Sequence, residues 1–374
     1  MNQTVGRNVT DESPHTSKKL FAGRSLLGFH LNSGKLPAIT IPVDRLSWID
    51  MGLIFQAYAY LSHCSCNLIA RIPACQESYD MRPEIAVLDI QGQYRVYTEF
   101  YRADAAQKTI ILVNGSMATT ASFAQTAKNL YPQFNVVLYD QPYAGKSKPH
   151  NRHEKMLTKE IEGQILLELI DHFAAEHVLS FSWGGAATLT ALAQRPRRIE
   201  KAVISSFSPV LNAPMRDYLE RGVDYLGSLD GDRVGHLVNS TIGKHLPPLF
   251  KRFNYRHVSS LAEHEYGQMH FHINDVLHSD RLCYVNAAKK INVPVLFLNG
   301  EWDEYTSATD AKVFADHVQH STFSTLQATG HFLDMEHKAA CRDSRDALLG
   351  FLKQPHQESR PRYNYVQDYH ALAM

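Results

Sequence analysis

The sequence predicts an α/β fold, with a mostly parallel central sheet flanked by helices and a helical lid inserted late in the chain. Three observations predict it. Apolar, β-branched strands alternate steadily with helical segments from Met81 onward. His177, Val178 and Leu179 form an apolar strand that runs through the small-residue turn Ser180-Phe181-Ser182-Trp183-Gly184-Gly185 straight into a helix. Two later strands each end in a turn that carries a chemically useful side chain, Asp303 after one and His331 after the other.

Element by element, the reading begins at Met81. Residues 84–90 and 94–100 alternate in polarity like an antiparallel pair joined at Gly92, and residues 109–113 are a β-branched buried strand. A helix is expected over 123–130, a strand over 135–139 and an amphipathic helix over 161–173. The turn strand and its helix follow, then a strand at 202–206. Residues from about 208 to 290 break the rhythm with helical patches at 215–225 and 236–242 and the pair Pro247-Pro248. It resumes with a buried strand at 293–300 and a short one at 323–326. Residues 81–354 are therefore one domain with a lid at about 208–290, and 355–374 are a loosely attached polar and aromatic tail. Residues 1–80 lack the strand-turn-helix rhythm and are read as an N-terminal extension, either poorly ordered or a mis-assigned start ahead of Met81.

Composition narrows the function. The chain has 374 residues, enough for a sizeable core, and a formal net charge of zero, which removes any global electrostatic case for nucleic acid. Five cysteines in a chain this long do not make a disulfide framework, so a cytoplasmic location is expected. Cys64-Ser65-Cys66 reads as incidental thiols, and the 20 histidines form no metal-ligand pattern with cysteine, so no metal and no bound cofactor are expected. The apolar run starting at Met51 stops after about a dozen residues, short of a membrane span.

Chemistry converges on the three turns. A nucleophile on a sharp strand-to-helix turn needs small neighbours two positions away on either side. Ser182 has Ser180 and Gly184 there, with serine where glycine is usual. Serine followed by acid and then histidine is the chain order of the α/β-hydrolases, and strand order brings all three to the carboxyl edge of the sheet. Ser182 becomes a nucleophile when His331 takes its proton, with Asp303 fixing the imidazole tautomer. Glu301 and Glu304 compete with Asp303, but the short side chain in a Gly-x-x-Asp turn fits better. Asp334 is read as the cap of the following helix. The tetrahedral oxyanion needs two donors: the Trp183 N–H and one from Ser116 or Met117 in the turn after residues 109–113. Phe250, Phe253 and Phe271, among other lid aromatics, suit an acyl chain, and the basic run that includes Lys251 and Arg252 suits an acidic partner or phosphates. His270 and Asp275 match a short acyltransferase signature but are read as coincidence. The residues alone leave water, alcohol or thiol open as acyl acceptor.

Four segments carry a resemblance. Val113-Asn114-Gly115-Ser116-Met117-Ala118-Thr119-Thr120-Ala121-Ser122-Phe123, the Ser182 turn, Asn299 to Thr306, and Gly330-His331-Phe332-Leu333-Asp334 are together similar to a small bacterial family. It comprises the 3-hydroxyacyl-acyl carrier protein:coenzyme A transacylases of polyhydroxyalkanoate synthesis and the related enzymes that esterify two hydroxyacyl groups for rhamnolipids. The run Met81-Arg82-Pro83-Glu84-Ile85-Ala86-Val87-Leu88-Asp89-Ile90 resembles the start of the transacylases, which are the closer match. The resemblance implies an acyltransferase moving a medium-chain (R)-3-hydroxyacyl group from acyl carrier protein to coenzyme A, with coenzyme A as substrate. A thioesterase with water as acceptor, or the rhamnolipid-type esterifying enzyme, would use the same residues.

Overall fold

The computed structural model describes residues 81–278 and 282–355, together with two short strands, Leu26–Leu27 and Ile41–Pro42, which pair antiparallel. Contacts divide the chain into Met1–Arg71 and Ile72–Met374. The expectations for Cys64-Ser65-Cys66, the apolar run after Met51 and the tail beyond residue 355 fall outside the described residues.

One eight-stranded sheet organises the larger unit. Its strands are β1 (Glu84–Ile90), β2 (Tyr94–Tyr101), β3 (Thr109–Val113), β4 (Asn135–Tyr139), β5 (His177–Phe181), β6 (Lys201–Ser205), β7 (Val295–Gly300) and β8 (Ser321–Leu326). The spatial order is β8-β7-β6-β5-β3-β4-β2-β1, parallel from β8 to β4 and antiparallel at β2 and β1. The α/β expectation holds. The hairpin between β1 and β2 turns through Gln91 at φ +54° and Gly92 at φ +70°, a left-handed pair that matches strand twist. β3, β6 and β7 are buried along their whole length, which is why they read as continuous apolar runs rather than alternating ones. Edge strand β1 leaves Ile85 and Val87 exposed.

Helices cover both faces. On one side α2 (Lys159–His172) and α3 (Gly184–Leu192) pack with Ile111, Val113, Val178, Ile204 and Phe297. On the other, α1 (Ala124–Leu130) and α10 (Lys338–Leu352) enclose Leu112, Leu138, Leu179 and Leu298. Between β6 and β7 the chain inserts α4 (Ala213–Gly227), α5 (Gly231–Ser240), α6 (Pro248–Ser259), α7 (Glu263–His278) and α8 (Leu282–Ala288), and the short α9 (Ala308–Ala311) follows β7. The insertion has its own core, built on Leu219, Leu226, Leu237, Val258 and Met269, against which Met117 and Trp183 pack. That contact joins the insertion to the carboxyl edge of the sheet. No described helix is long and apolar enough to cross a membrane.

Candidate active site

Ser182 follows β5 at φ +51°, in the left-handed region that a non-glycine residue adopts only under constraint. The constraint is visible on both sides. Its N–H donates to the Ser205 carbonyl of β6 at 2.8 Å, and its carbonyl accepts from the Gly185 N–H at 2.8 Å. A Cβ on Gly184 would stand 2.5 Å from the Asn114 carbonyl oxygen and 2.7 Å from that of Val113, so only glycine fits there. On the other side, Ser180 is fully buried, and the Ser205 hydroxyl donates to its carbonyl at 2.7 Å. Serine is small enough for a position where glycine is usual.

The acid and imidazole turns brace each other. A Cβ on Gly300 would meet the Gly330 carbonyl oxygen at 2.1 Å, which shows how closely the two backbones approach, and the Trp302 N–H donates to the Thr329 carbonyl at 2.8 Å. His331 is then held by three contacts. Its carbonyl accepts from the Ser206 hydroxyl at 2.6 Å, and the Glu336 carboxylate accepts from the Gly330 and Phe332 N–H groups flanking it at 2.7 and 3.1 Å. Phe181 meets the imidazole edge-on at 5.2 Å.

Within this frame His331 Nε2 lies 3.1 Å from Ser182 Oγ, and Nδ1 lies 2.7 Å from Asp303 Oδ2. A carboxylate beside Nδ1 places the proton there and leaves the Nε2 lone pair facing the serine hydroxyl. All three residues are buried, Asp303 and His331 to 2% exposure and Ser182 to 7%. Burial alone would push the Asp303 carboxyl up. The His331 charge, with hydrogen bonds from His331 and Thr306, outweighs it and holds the group below its ordinary range. Asp303 Oδ1 accepts from the Tyr305 and Thr306 N–H groups, both at 3.0 Å, and Oδ2 from the Thr306 hydroxyl at 2.5 Å. The competing acids are engaged elsewhere: Glu304 pairs with Lys244 at 2.8 Å, and Glu301 accepts from the Ala328 N–H.

Ser116, Met117 and Trp183 line one small cleft beside the elbow, and a Cβ on Gly115 would stand 3.2 Å from Ser182 Cβ. Met117 is left-handed at φ +53°, and its carbonyl accepts from His257 Nε2 of α6 at 2.8 Å. Next to the cleft lies a mainly apolar cavity of about 480 Å³, whose wall includes Trp183, Phe207, Leu211, Met215, Phe271 and Thr306. Phe271 is part of that wall, whereas Phe250, Phe253, Lys251 and Arg252 are not. Phe253 is buried on α6, Arg252 is exposed, and the Lys251 ammonium donates to the Lys244 carbonyl at 2.6 Å.

One reading of a secondary residue is corrected. Asp334 does not cap the next helix: its carboxylate accepts from the Thr126 hydroxyl at 2.7 Å, and His337 Nδ1 caps α10 by accepting from the Ala340 N–H. His270 turns to Asn274 of its own helix. The sequence assigns no role to Thr306, Ser206 or Glu336 and offers His257 only as part of the basic run, whereas its Nε2 meets the Met117 carbonyl. Only Thr306 had a local signal, since an acid followed by a residue that closes the turn over it is the pattern of a side-chain-capped turn.

A hydroxyl, an imidazole and a carboxylate in series, with backbone N–H groups nearby and an apolar cavity alongside, are equipped for acyl transfer. Among the described residues no group of His, Cys, Asp and Glu could hold a metal ion. The model of the α/β-hydrolase fold matches residues 108–338. MGS-M2, an α/β-hydrolase enzyme from a Medee basin deep-sea metagenome library, superposes with a TM-score of 0.61 at 19% identity, covering 74% of this chain and 100% of that one. The (R)-3-hydroxydecanoyl-ACP:CoA transacylase of Pseudomonas putida is 67% identical over 295 residues, 79% of this chain and 100% of that protein. The enzyme of the same name from Pseudomonas aeruginosa is 59% identical over 273 residues, 73% of this chain and 91% of its own length. With a fold-model match from the third strand of the sheet through the His331 turn and this identity along the full length of a relative, the chain belongs to the (R)-3-hydroxydecanoyl-ACP:CoA transacylase family of the α/β-hydrolase fold.

Proposed function

We propose that the protein moves a medium-chain (R)-3-hydroxyacyl group from acyl carrier protein to coenzyme A through an acyl-enzyme on Ser182, supplying polyhydroxyalkanoate precursors. The carrying observation is 67% identity to a transacylase along that relative's entire length, joined to a hydrogen-bonded serine, imidazole and carboxylate. His331 Nε2 takes the Ser182 proton as Oγ attacks the thioester carbonyl, and Asp303 stabilises the imidazolium. The oxyanion is held by the Trp183 N–H and an N–H of Ser116 or Met117. As the C–S bond breaks, His331 returns the proton to the departing thiol of the carrier arm. The coenzyme A thiol then gives its proton to His331 and its sulfur attacks the acyl-enzyme carbonyl; as the C–O bond to Ser182 breaks, His331 returns the proton to Oγ and the new thioester leaves.

The helices between β6 and β7 act as the lid, and the apolar cavity beside Trp183 takes the acyl chain. Exposed Arg252 and its basic neighbours on α6 suit the acidic carrier or the coenzyme phosphates. Both substrates belong to the cytoplasm, where the protein would work.

The test is mass-spectrometric product analysis with 3-hydroxydecanoyl-acyl carrier protein, with and without coenzyme A, beside Ser182→Ala. A coenzyme A ester that requires both coenzyme A and Ser182 supports the proposal. Free 3-hydroxy acid at equal rates in both mixtures makes the protein a thioesterase, and a dimeric ester makes it the esterifying type.

A further inference from the structure

Two spaces border Trp183, the residue after the elbow serine: the cavity of about 480 Å³ and the small cleft lined by Gly115, Ser116 and Met117. Three residues, Lys159, Trp183 and His272, line both. His272 therefore stands where the chain-sized space meets the cleft nearest the proposed oxyanion donors.

His272 projects from α7 with its side chain only 4% exposed. Its Nε2 lies 3.1 Å from Glu162 Oε1 and 2.8 Å from the Gln268 amide nitrogen. Both neighbours are fixed. Glu162 accepts from the Tyr143 hydroxyl at 2.9 Å and the Lys159 ammonium at 2.7 Å. Gln268 is pinned to the Leu157 backbone, accepting from its N–H at 2.9 Å and donating to its carbonyl at 2.8 Å. Nε2 is thus engaged in either tautomer, donating to Glu162 or accepting from Gln268. Nδ1, by contrast, has no hydrogen-bond partner among the described residues. Burial, helped by the Lys159 charge, holds the imidazole below its ordinary pKa despite Glu162, so the ring is neutral near neutral pH.

We propose that His272 Nδ1 binds the hydroxyl on C3 of the acyl chain and so makes the site selective for 3-hydroxyacyl thioesters. The proposal rests on the acyl-transfer reading of Ser182. C3 is two bonds from the thioester carbonyl carbon, so a group on it stays at the junction while the tail runs into the apolar cavity. A hydroxyl donates and accepts, and it satisfies Nδ1 in either tautomer. A C3 methylene leaves a buried imidazole nitrogen unpaired, the situation in which a polar site discriminates most strongly.

The experiment compares kcat/KM for 3-hydroxydecanoyl, decanoyl and 5-hydroxydecanoyl carrier thioesters, with coenzyme A as acceptor, for the full chain and for His272→Leu and His272→Asn. Asparagine sets an amide atom near the position of Nδ1, whereas leucine offers none. The unmodified chain should prefer the 3-hydroxy substrate by at least about tenfold over both others. His272→Asn should retain most of that preference, and His272→Leu should bring the ratio to within about threefold of unity. Equal use of the three substrates by the unmodified chain overturns the proposal and leaves the transacylase reading standing. So does His272→Leu slowing all three alike with the ratio intact. Failure of the unmodified chain to form any coenzyme A ester would instead defeat the acyl-transfer reading beneath it. If His272→Leu does not fold, His272→Ala, which also removes Nδ1, decides the matter: the ratio should fall to within about threefold of unity, and an intact ratio overturns the proposal.

Discussion

Asp303 keeps its charge in the interior because it is surrounded by donors: two backbone N–H groups, the Thr306 hydroxyl and His331 Nδ1. In the proposed mechanism that charge fixes the imidazole tautomer. Asp303→Asn should therefore lower kcat by about three to four powers of ten with the fold retained. Thr306→Val removes one donor to the carboxylate and should act more mildly, lowering kcat by about tenfold. An unchanged kcat would show that the hydroxyl contributes only packing. His257 acts one step further out, through the Met117 carbonyl. His257→Leu should free that left-handed turn and reduce kcat by about one to two powers of ten while KM changes little, as expected for a group that positions an oxyanion donor. Stopped-flow acylation rates would report it, and a loss confined to KM would contradict it.

At the scale of elements, the elbow depends on the closest approach in the site. Gly184→Ala puts a Cβ within 2.5 Å of the Asn114 carbonyl, and this backbone oxygen cannot swing aside as a side chain would. Either the turn opens or the fold weakens. Labelling of Ser182 by a fluorophosphonate should slow by at least about a hundredfold in folded variant protein, a loss of the size seen when oxyanion geometry fails. Labelling at the original rate would show that the turn tolerates the change. Element identity was largely legible. The strand expected over 202–206 is Lys201–Ser205, and the helix over 161–173 is Lys159–His172. Helix α7 was not singled out, and its composition explains why. It buries Glu265, Gln268 and His272 beside Tyr266, Met269 and Ile273, so polar residues interrupt the apolar period on its inner face. Besides contacts within the helix, those polar residues find partners on other elements: Lys148 for Glu265, Leu157 for Gln268 and Glu162 for His272. Local pattern carries no trace of such pairing.

For the whole molecule, pH acts on stability through groups that the fold buries. His177, at the start of β5, is 1% exposed, and neither ring nitrogen has a hydrogen-bond partner among the described residues. Burial first, then the Lys108 charge, brings its pKa down to about 4. In the unfolded chain the value returns to about 6.5. Between these two values the unfolded chain binds a proton that the folded protein does not, so stability falls as pH drops from about 6.5 towards 4. His177→Leu removes this contribution, and its Tm should decline less than that of the unmodified protein between pH 7 and pH 4.5. Parallel Tm curves for the two proteins would exclude the effect.

By itself, the sequence determined the alternation of strand and helix, the buried parallel core and the order in which Ser182, Asp303 and His331 follow one another. Each of these is written in local periodicity, in β-branched runs and in small residues at tight turns. Only tertiary structure decided which side chains hold those three in register. Ser206 and Glu336 reach the His331 turn, His257 reaches Met117 from a helix of the insertion, and Glu162 and Gln268 leave one nitrogen of His272 without a partner. Three of these contacts, Ser206 with His331, His257 with Met117 and Glu162 with His272, join residues far apart in the chain, and a hydrogen bond across such a separation depends on where the packed elements bring two atoms. Neither residue's neighbours in sequence record it.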